Sequence, residues 1–273
     1  GDNGGYNQVA IYDFDIDTAD TTLIVLAGGE ILHFKIIDAG FDFVKTIVLG
    51  RIFTSRLDFV PGTSNFLVSF NRRKGFEPYL SVLMDINGEM LTSKPNYFNR
   101  FNPVTYKIRD SVIHYQYGNK LYFRERLNDT VFSVDSESGE FTPAFILDSH
   151  ISSTNSENIN DPKYFKLLPN IKNICESPRY IYYTSRFSKF SYSIFYDKYE
   201  NRKFIIDSEK NTLKDDISGG PDLEPEFICE GKMYSWISAD VLRQHLKTMN
   251  ITEGKLQDLS KNEKVKKLIQ SVE

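Results

Sequence analysis

The chain has 273 residues, 40% of them hydrophobic and 26% charged, which excludes disorder and collagen-like repeats and leaves enough apolar material for a sizeable core. Its 33 basic side chains against 37 acidic ones give a net charge of -4, a balance that does not hold a phosphate backbone by bulk charge, so no nucleic-acid partner is expected. Aromatic content is the anomaly: 21 Phe and 16 Tyr suit pleated, half-buried surfaces, and an all-β body is predicted.

Short alternating apolar and polar runs separated by turn residues recur along the chain, the pattern of antiparallel strands. The first group covers residues 9–16, 22–26, 31–36 and 41–47, with Gly28-Gly29 closing its middle hairpin, and reads as a four-stranded meander. A second group covers 52–60, 66–70 and 79–85; Pro61-Gly62-Thr63-Ser64 is one of its turns, and the basic segment Asn71-Arg72-Arg73-Lys74-Gly75-Phe76 is the other. The third is the clearest, with 111–117, 121–126 and 130–134 turning through Gly118-Asn119 and through Ser136-Glu137-Ser138-Gly139 into a strand at Phe141. Residues 149–161 read as a long polar surface loop, and a fourth group follows at 180–184, 191–196 and 203–206.

One phrase recurs within these groups: an apolar-aromatic strand, an Asp, a small turn with Gly, an acid and another strand. It occurs at Asp85, again at Asp135, and in degraded form at Asp197, spacings of 50 (135 minus 85) and 62 (197 minus 135) residues. Such a period predicts repeated sheets, each unable to bury both faces alone and stacked on its neighbours. Asp can accept hydrogen bonds from the backbone just after it and Gly tolerates positive φ, so these residues are turn chemistry. The predicted architecture is a β-propeller of four-stranded antiparallel meander blades, five to six in number and with ring closure left open.

Residues 226–237 supply two more strands around Glu230-Gly231, and helix takes over behind Ser238, an N-cap for the stripe Val241, Leu242, His245, Leu246 and Met249. A second helix is predicted from Ser260, with Glu263 completing a capping box and Val265, Leu268, Ile269 and Val272 on one face. The domain reading is therefore a propeller body over 1–237 and a helical segment over 238–273. Residues 243–273 hold seven Lys/Arg and four Asp/Glu, a basic face that either packs across the sheets or meets an acidic partner.

Candidate chemistry is sparse. Cys175 and Cys229 lack the close spacing of a thiolate metal site; buried thiols and a disulfide are both open readings. His33, His114, His150 and His245 lack metal-ligand spacing, so no metal or cofactor is expected, and His33 and His114 read as structural residues of strands. No Gly-x-Ser-x-Gly elbow marks a nucleophile. Asp13, Asp15 and Asp17 alternate along one strand and share a face, which is either solvated or bridged by a cation. The ligand-site candidate is Arg72, Arg73 and Phe76 together with Arg100, Arg124 and Arg126, since Arg beside aromatic rings suits carboxylate-bearing or glycan ligands; a plain surface charge cluster is the competing reading. No apolar run approaches the ~18 residues that a membrane-spanning helix requires.

Gly4-Gly5-Tyr6 leading to Asp13-Phe14-Asp15-Ile16-Asp17, the phrase Asp129-Thr130-Val131-Phe132 and a helical segment near the C-terminus together resemble the secreted six-bladed β-propeller proteins of gut bacteria, of the NHL/TolB-like kind, whose domains are of unknown function. In that family the glycine-rich stretch carries a Pro and a Glu missing here, about one blade precedes it, and a strand follows the helices. The resemblance therefore implies a fragment or a reduced version of the six-bladed form, lacking the first blade and the last strand. It also implies an extracytoplasmic location, in the periplasm or at the outer cell surface, with a lipid anchor on the full-length form. The implied function is a non-catalytic binding or scaffolding module for a glycan or protein ligand. The alternative is a propeller-type glycan hydrolase or lyase with its active site at the channel mouth.

Overall fold

The computed structural model describes residues 10–49, 54–70, 78–96, 112–125, 128–147, 170–187, 190–207, 225, 227–229 and 232–248. These belong to two compact units, Gly1–Ile174 with Ser185–Lys189, and Cys175–Thr184 with Phe190–Glu273.

Three antiparallel meanders follow one another in the first unit. The first sheet is β1 (Ile11–Asp17), β2 (Thr22–Ala27), β3 (Glu30–Ile37) and β4 (Gly40–Val48). The second is β5 (Thr54–Phe59), β6 (Phe66–Phe70), β7 (Tyr79–Met84) and β8 (Met90–Pro95). The third is β9 (Val112–Tyr117), β10 (Lys120–Glu125), β11 (Thr130–Val134) and β12 (Phe141–Ile146). A fourth meander comprises β13 (Asn170–Glu176), β14 (Tyr180–Phe187), β15 (Phe190–Asp197) and β16 (Arg202–Asp207). Its first strand is absent from the sequence reading, because Lys172 and Asn173 interrupt the apolar run.

In the second unit β17 (Phe227–Cys229) pairs with β18 (Lys232–Tyr234), and α1 (Ala239–Thr248) follows. Ser238 caps α1 as the sequence predicts, its Oγ accepting from the Val241 N–H at 3.3 Å. The predicted second helix lies outside the described residues, as do the 149–161 loop and the basic segment after β6.

The recurrent Asp closes the same hairpin, between third and fourth strands, in three sheets. Asp85 Oδ1 accepts from the Asn87 and Glu89 N–H groups at 2.9 and 2.8 Å. Asp135 Oδ1 does so from Glu137 and Ser138 at 3.1 and 2.8 Å, and Asp197 Oδ1 from Tyr199 and Glu200 at 3.0 and 3.2 Å. Each turn then needs one residue in the left-handed region, supplied by Gly88 (φ 88°), Gly139 (φ 72°) and Asn201 (φ 50°). Two of these glycines are also required by close approach. A Cβ at Gly88 would lie 2.6 Å from Ile47 Cγ2 of the first sheet, and one at Gly139 3.0 Å from Leu83 Cδ2 of the second.

Cross-strand register decides which side chains share a face. In the first sheet Asp13, Leu26, Ile31 and Ile47 form one row and Asp15, Ile24, His33 and Lys45 the next; on the opposite face run Phe14, Val25, Leu32, Thr46 and Ile16, Leu23, Phe34, Phe43. The first of these faces packs on the second sheet, where Ile24, Leu26, Ile31 and Ile47 join Phe59, Phe66, Val68 and Val82 in one core. The other side of the second sheet packs on the third through Val60, Leu67 and Leu83 against Val112, Leu121, Phe123 and Val134. First strands are the neighbours in both cases, β1 beside β5 and β5 beside β9.

Candidate functional site

Side chains of the adjoining first strands carry the polar chemistry of the first unit. β5 is an edge strand, with alternate N–H groups pointing away from β6, and such groups need partners once the edge is buried. Asp13 and Asp15 supply them: the Leu57 N–H donates to Asp13 Oδ2 at 2.9 Å and the Phe59 N–H to Asp15 Oδ2 at 2.7 Å. The two-residue spacing of the acids matches the two-residue spacing of free N–H groups along a strand. The predicted one-sided Asp ladder is therefore real, and at Asp13 and Asp15 it is half-buried, bonded to backbone amides of β5 with Arg56 Nη1 4.0 Å from Asp13 Oδ2. Burial raises the Asp15 carboxyl to about 6, opposed by the Phe59 N–H and reinforced by the charge of Asp58. Asp13 is raised as well, chiefly by burial.

Asp58, one residue along β5 and on its opposite face, reaches the third sheet. Its Oδ2 lies 2.7 Å from His114 Nδ1; His114 Nε2 lies 2.7 Å from Ser69 Oγ, and Ser69 Oγ lies 2.8 Å from Ser81 Oγ. The carboxylate partner places a proton on Nδ1, which donates to Asp58, and Nε2 shares a hydrogen bond with the Ser69 hydroxyl. This is the order of a nucleophile, base and orienting acid. Ser69 and Ser81, however, are fully buried, and the His114 side chain has no exposed surface. A nucleophile must touch its substrate, so the row acts as a strut between the second and third sheets. Gln116 Nε2 adds a 3.3 Å bond to the Phe59 carbonyl at the same junction. Sequence reasoning missed the constellation because its members come from four separate strands. The available signal was polar residues at buried positions of apolar runs, Ser69 in Phe-Leu-Val-Ser-Phe and His114 in Val-Ile-His-Tyr.

Further out, Lys94 lies with its ammonium 3.0 Å from the centre of the Phe132 ring and 3.8 Å from Glu125 Oε1. Burial lowers the Lys94 pKa, with Glu125 opposing. Arg124, proposed from sequence as a ligand contact, is 1% exposed, with Nη2 3.4 Å from Asp129 Oδ1. Arg72, Arg73, Phe76, Arg100 and Arg126 lie outside the described residues, as does His150. His33 is buried and, among the described residues, neither ring nitrogen has a hydrogen-bond partner; burial and the Lys45 and Lys35 charges hold its pKa down. Among the described residues no group of three or more His, Cys, Asp or Glu could hold a metal ion, and no helix is long and apolar enough to cross a membrane.

Successive four-stranded antiparallel sheets whose first strands adjoin define an all-β, propeller-like protein. The chain belongs to the family described as "Domain of unknown function (DUF4934)", which matches residues 1–273. Among solved structures it resembles a "Putative exported protein" from Bacteroides fragilis, with 14% identity and a TM-score of 0.65 over 91% of this chain and 72% of that one. A protein from Lactobacillus plantarum is 13% identical, with a TM-score of 0.41 over 72% of this chain and 55% of that one. Apo AztD from Citrobacter koseri is 14% identical, with a TM-score of 0.41 over 72% of this chain and 47% of that one. No curated protein matches.

Proposed function

We propose that the protein is a non-catalytic binding or scaffolding module working outside the cytoplasm, built as a propeller body over 1–237 with a helical segment over 238–273. The observation that carries this reading is the use made of reactive side chains. Ser69, His114 and Asp58 stand in catalytic order yet are spent inside a sheet junction, and Asp13 and Asp15 are spent on the amides of a neighbouring strand. The resemblance to gut-bacterial secreted propellers supports an extracytoplasmic setting, six blades and a lipid anchor on the full-length form. The description of the Bacteroides fragilis protein as exported is in keeping with that setting.

Arg72, Arg73, Phe76, Arg100 and Arg126 are the proposed ligand contacts. Guanidinium groups beside an aromatic ring fit a carboxylate-bearing glycan or an acidic peptide. A glycan array and a polysaccharide-degradation screen on the purified protein test the proposal together. Binding without degradation, weakened about tenfold or more by Arg72→Ala with Arg73→Ala, is the expected outcome.

One observation favours the alternative, a glycan hydrolase or lyase. Asp15 retains its proton up to about 6, in the manner of a general acid, beside the carboxylates of Asp13 and Asp58. Degradation abolished by Asp15→Asn would establish that alternative and end the first.

A further inference from the structure

His33 stands on the face of the first sheet that packs on the second, cross-strand from Ile24 and Lys45, with Ile31 and Lys35 before and after it on the same side of β3. It is 7% exposed, and both ring nitrogens are buried without a hydrogen-bond partner among the described residues. A neutral imidazole leaves one N–H and one lone pair unbonded in such a slot; an imidazolium would bring an unsolvated charge as well.

The charges around the ring are of its own sign or already engaged. Lys45 Nζ on β4 is held 3.0 Å from Asn87 Oδ1, and Lys35 Nζ on β3 lies 3.0 Å from Asp20 Oδ1, so two ammoniums flank the ring and the Asp20 carboxylate is paired. β2 presents Thr22, Ile24 and Leu26 on this side and no charge. Asp15 on β1 is in the same row, two strand spacings or about 10 Å away, and both it and Asp13 bond β5 amides. Asp17 and Asp42 share the row of Lys35. The second sheet brings apolar Phe66, Val82 and Met84; its charged groups at this junction are Asp85 and Glu89, in the turn that carries Asn87, and Arg56, 4.0 Å from Asp13 Oδ2. Burial, then the Lys45 and Lys35 charges, hold the imidazole below its ordinary 6.5, with Asp20 opposing.

We propose that His33 is an acid-operated release built into the junction of the first two sheets, with Asp15 of the same row as its counterweight: closing the junction strips a proton from the ring and places one on the carboxylate. A charged ring is accommodated by parting the sheets, which brings water to its nitrogens and uncovers Ile24, Leu26, Ile31 and Ile47. The parted state binds the ring proton below about 6.5, so the His33 contribution is complete above that pH and is lost as pH falls beneath it. Asp15 acts in the opposite sense below about 6, because the closed junction favours its protonated form. The two offset each other in the intact chain, and each is exposed by removing the other.

Hydrogen exchange of the full chain at pH 7 and pH 5, corrected for intrinsic rates, tests the pair by comparing protection of β2 to β4 with that of β10 and β11. In Asp15→Asn the first sheet should lose protection at least threefold on acidification while the third sheet does not. In His33→Phe it should gain at least threefold, and in the double variant and the unaltered chain it should change less than twofold. Identical responses of Asp15→Asn and the double variant overturn the proposal, as does acid loss of protection spread equally over both sheets. Should His33→Phe fail to fold, the His33 ring is titrated by nuclear magnetic resonance in the unaltered chain. A ring still neutral at pH 6 in the folded protein is expected; one that charges at its ordinary 6.5 with the sheets closed overturns the proposal.

Discussion

Gly88→Ala should be far more damaging than the same change at Gly118, although both glycines occupy hairpin turns at positive φ, 88° and 60°. Holding an L-residue in the left-handed region costs ~1 kcal/mol at either site. At Gly118 that is the whole cost, because a Cβ would meet nothing within 4 Å. At Gly88 the Cβ would meet Ile47 Cγ2 at 2.6 Å, Cγ1 at 3.4 Å and Cβ at 3.6 Å. Ile47 is buried between the first two sheets, and its β-branched side chain is stiff at χ1, so it cannot swing aside. Either the turn lifts off the first sheet or the core shifts, an overpacking cost of ~1–3 kcal/mol. The expected losses are therefore ~1 kcal/mol for Gly118→Ala and ~2–4 kcal/mol for Gly88→Ala, read as shifts in urea midpoint at constant slope. A double-mutant cycle adds the decisive arm: Ile47→Ala removes the obstructing methyl, so it should couple favourably to Gly88→Ala by ~1–3 kcal/mol. Equal losses for the two glycines, or a coupling near zero, would refute the idea that this turn is seated on the neighbouring sheet.

Gly139→Ala should fall between those two, because its Cβ would meet Leu83 Cδ2 at 3.0 Å and the end of a leucine can rotate away; the same titration ranks all three. Asp15 sets a pH dependence. Its carboxyl rises from an ordinary 3.8 to about 6 on folding, so the folded chain binds more protons across that interval and stability falls as pH climbs from about 4 to 6. Asp15→Asn should remove that part of the slope while its amide oxygen still accepts from Phe59, and urea midpoints at pH 4, 5, 6 and 7 would show it. Asp135 and Asp197 act with the opposite sign: turn N–H groups around Ser138 lower the first and Arg179 the second, so their contribution is lost as pH falls through those depressed values. Ser69→Ala should cost ~1–3 kcal/mol by removing the hydroxyl that bonds the buried His114 Nε2. A fluorophosphonate should leave Ser69 unlabelled in the folded protein, since its hydroxyl is buried; labelling would mean that the row is catalytic after all.

Period-two alternation made the strands legible wherever one face is apolar, as in β1 to β4, and turn chemistry located the hairpins at Asp85, Asp135 and Asp197. β13 escaped because Lys172 and Asn173 break its pattern, a cost that pairing with β14 absorbs. Less of the site could be read. Sequence order shows that Asp13 and Asp15 share a face, but not that a neighbouring strand turns its amides toward them, which depends on how two sheets meet. Arg124 illustrates the converse. Local alternation around Glu125 cannot reveal that the third sheet buries a guanidinium, because that follows from what stacks on the strand and not from the strand itself.

The Asp13 and Asp15 bonds to β5 have a mechanical corollary. Both run across the line of β1, side by side, and β1 is also laddered to β2 along its other edge. A pull directed along β1 therefore loads the two carboxylate contacts and the ladder simultaneously, in shear, while a pull at right angles would peel them singly. Tension entering through β1 meets the stiffer arrangement, and protonating Asp15 would exchange a charged grip on the Phe59 amide for a neutral, weaker one.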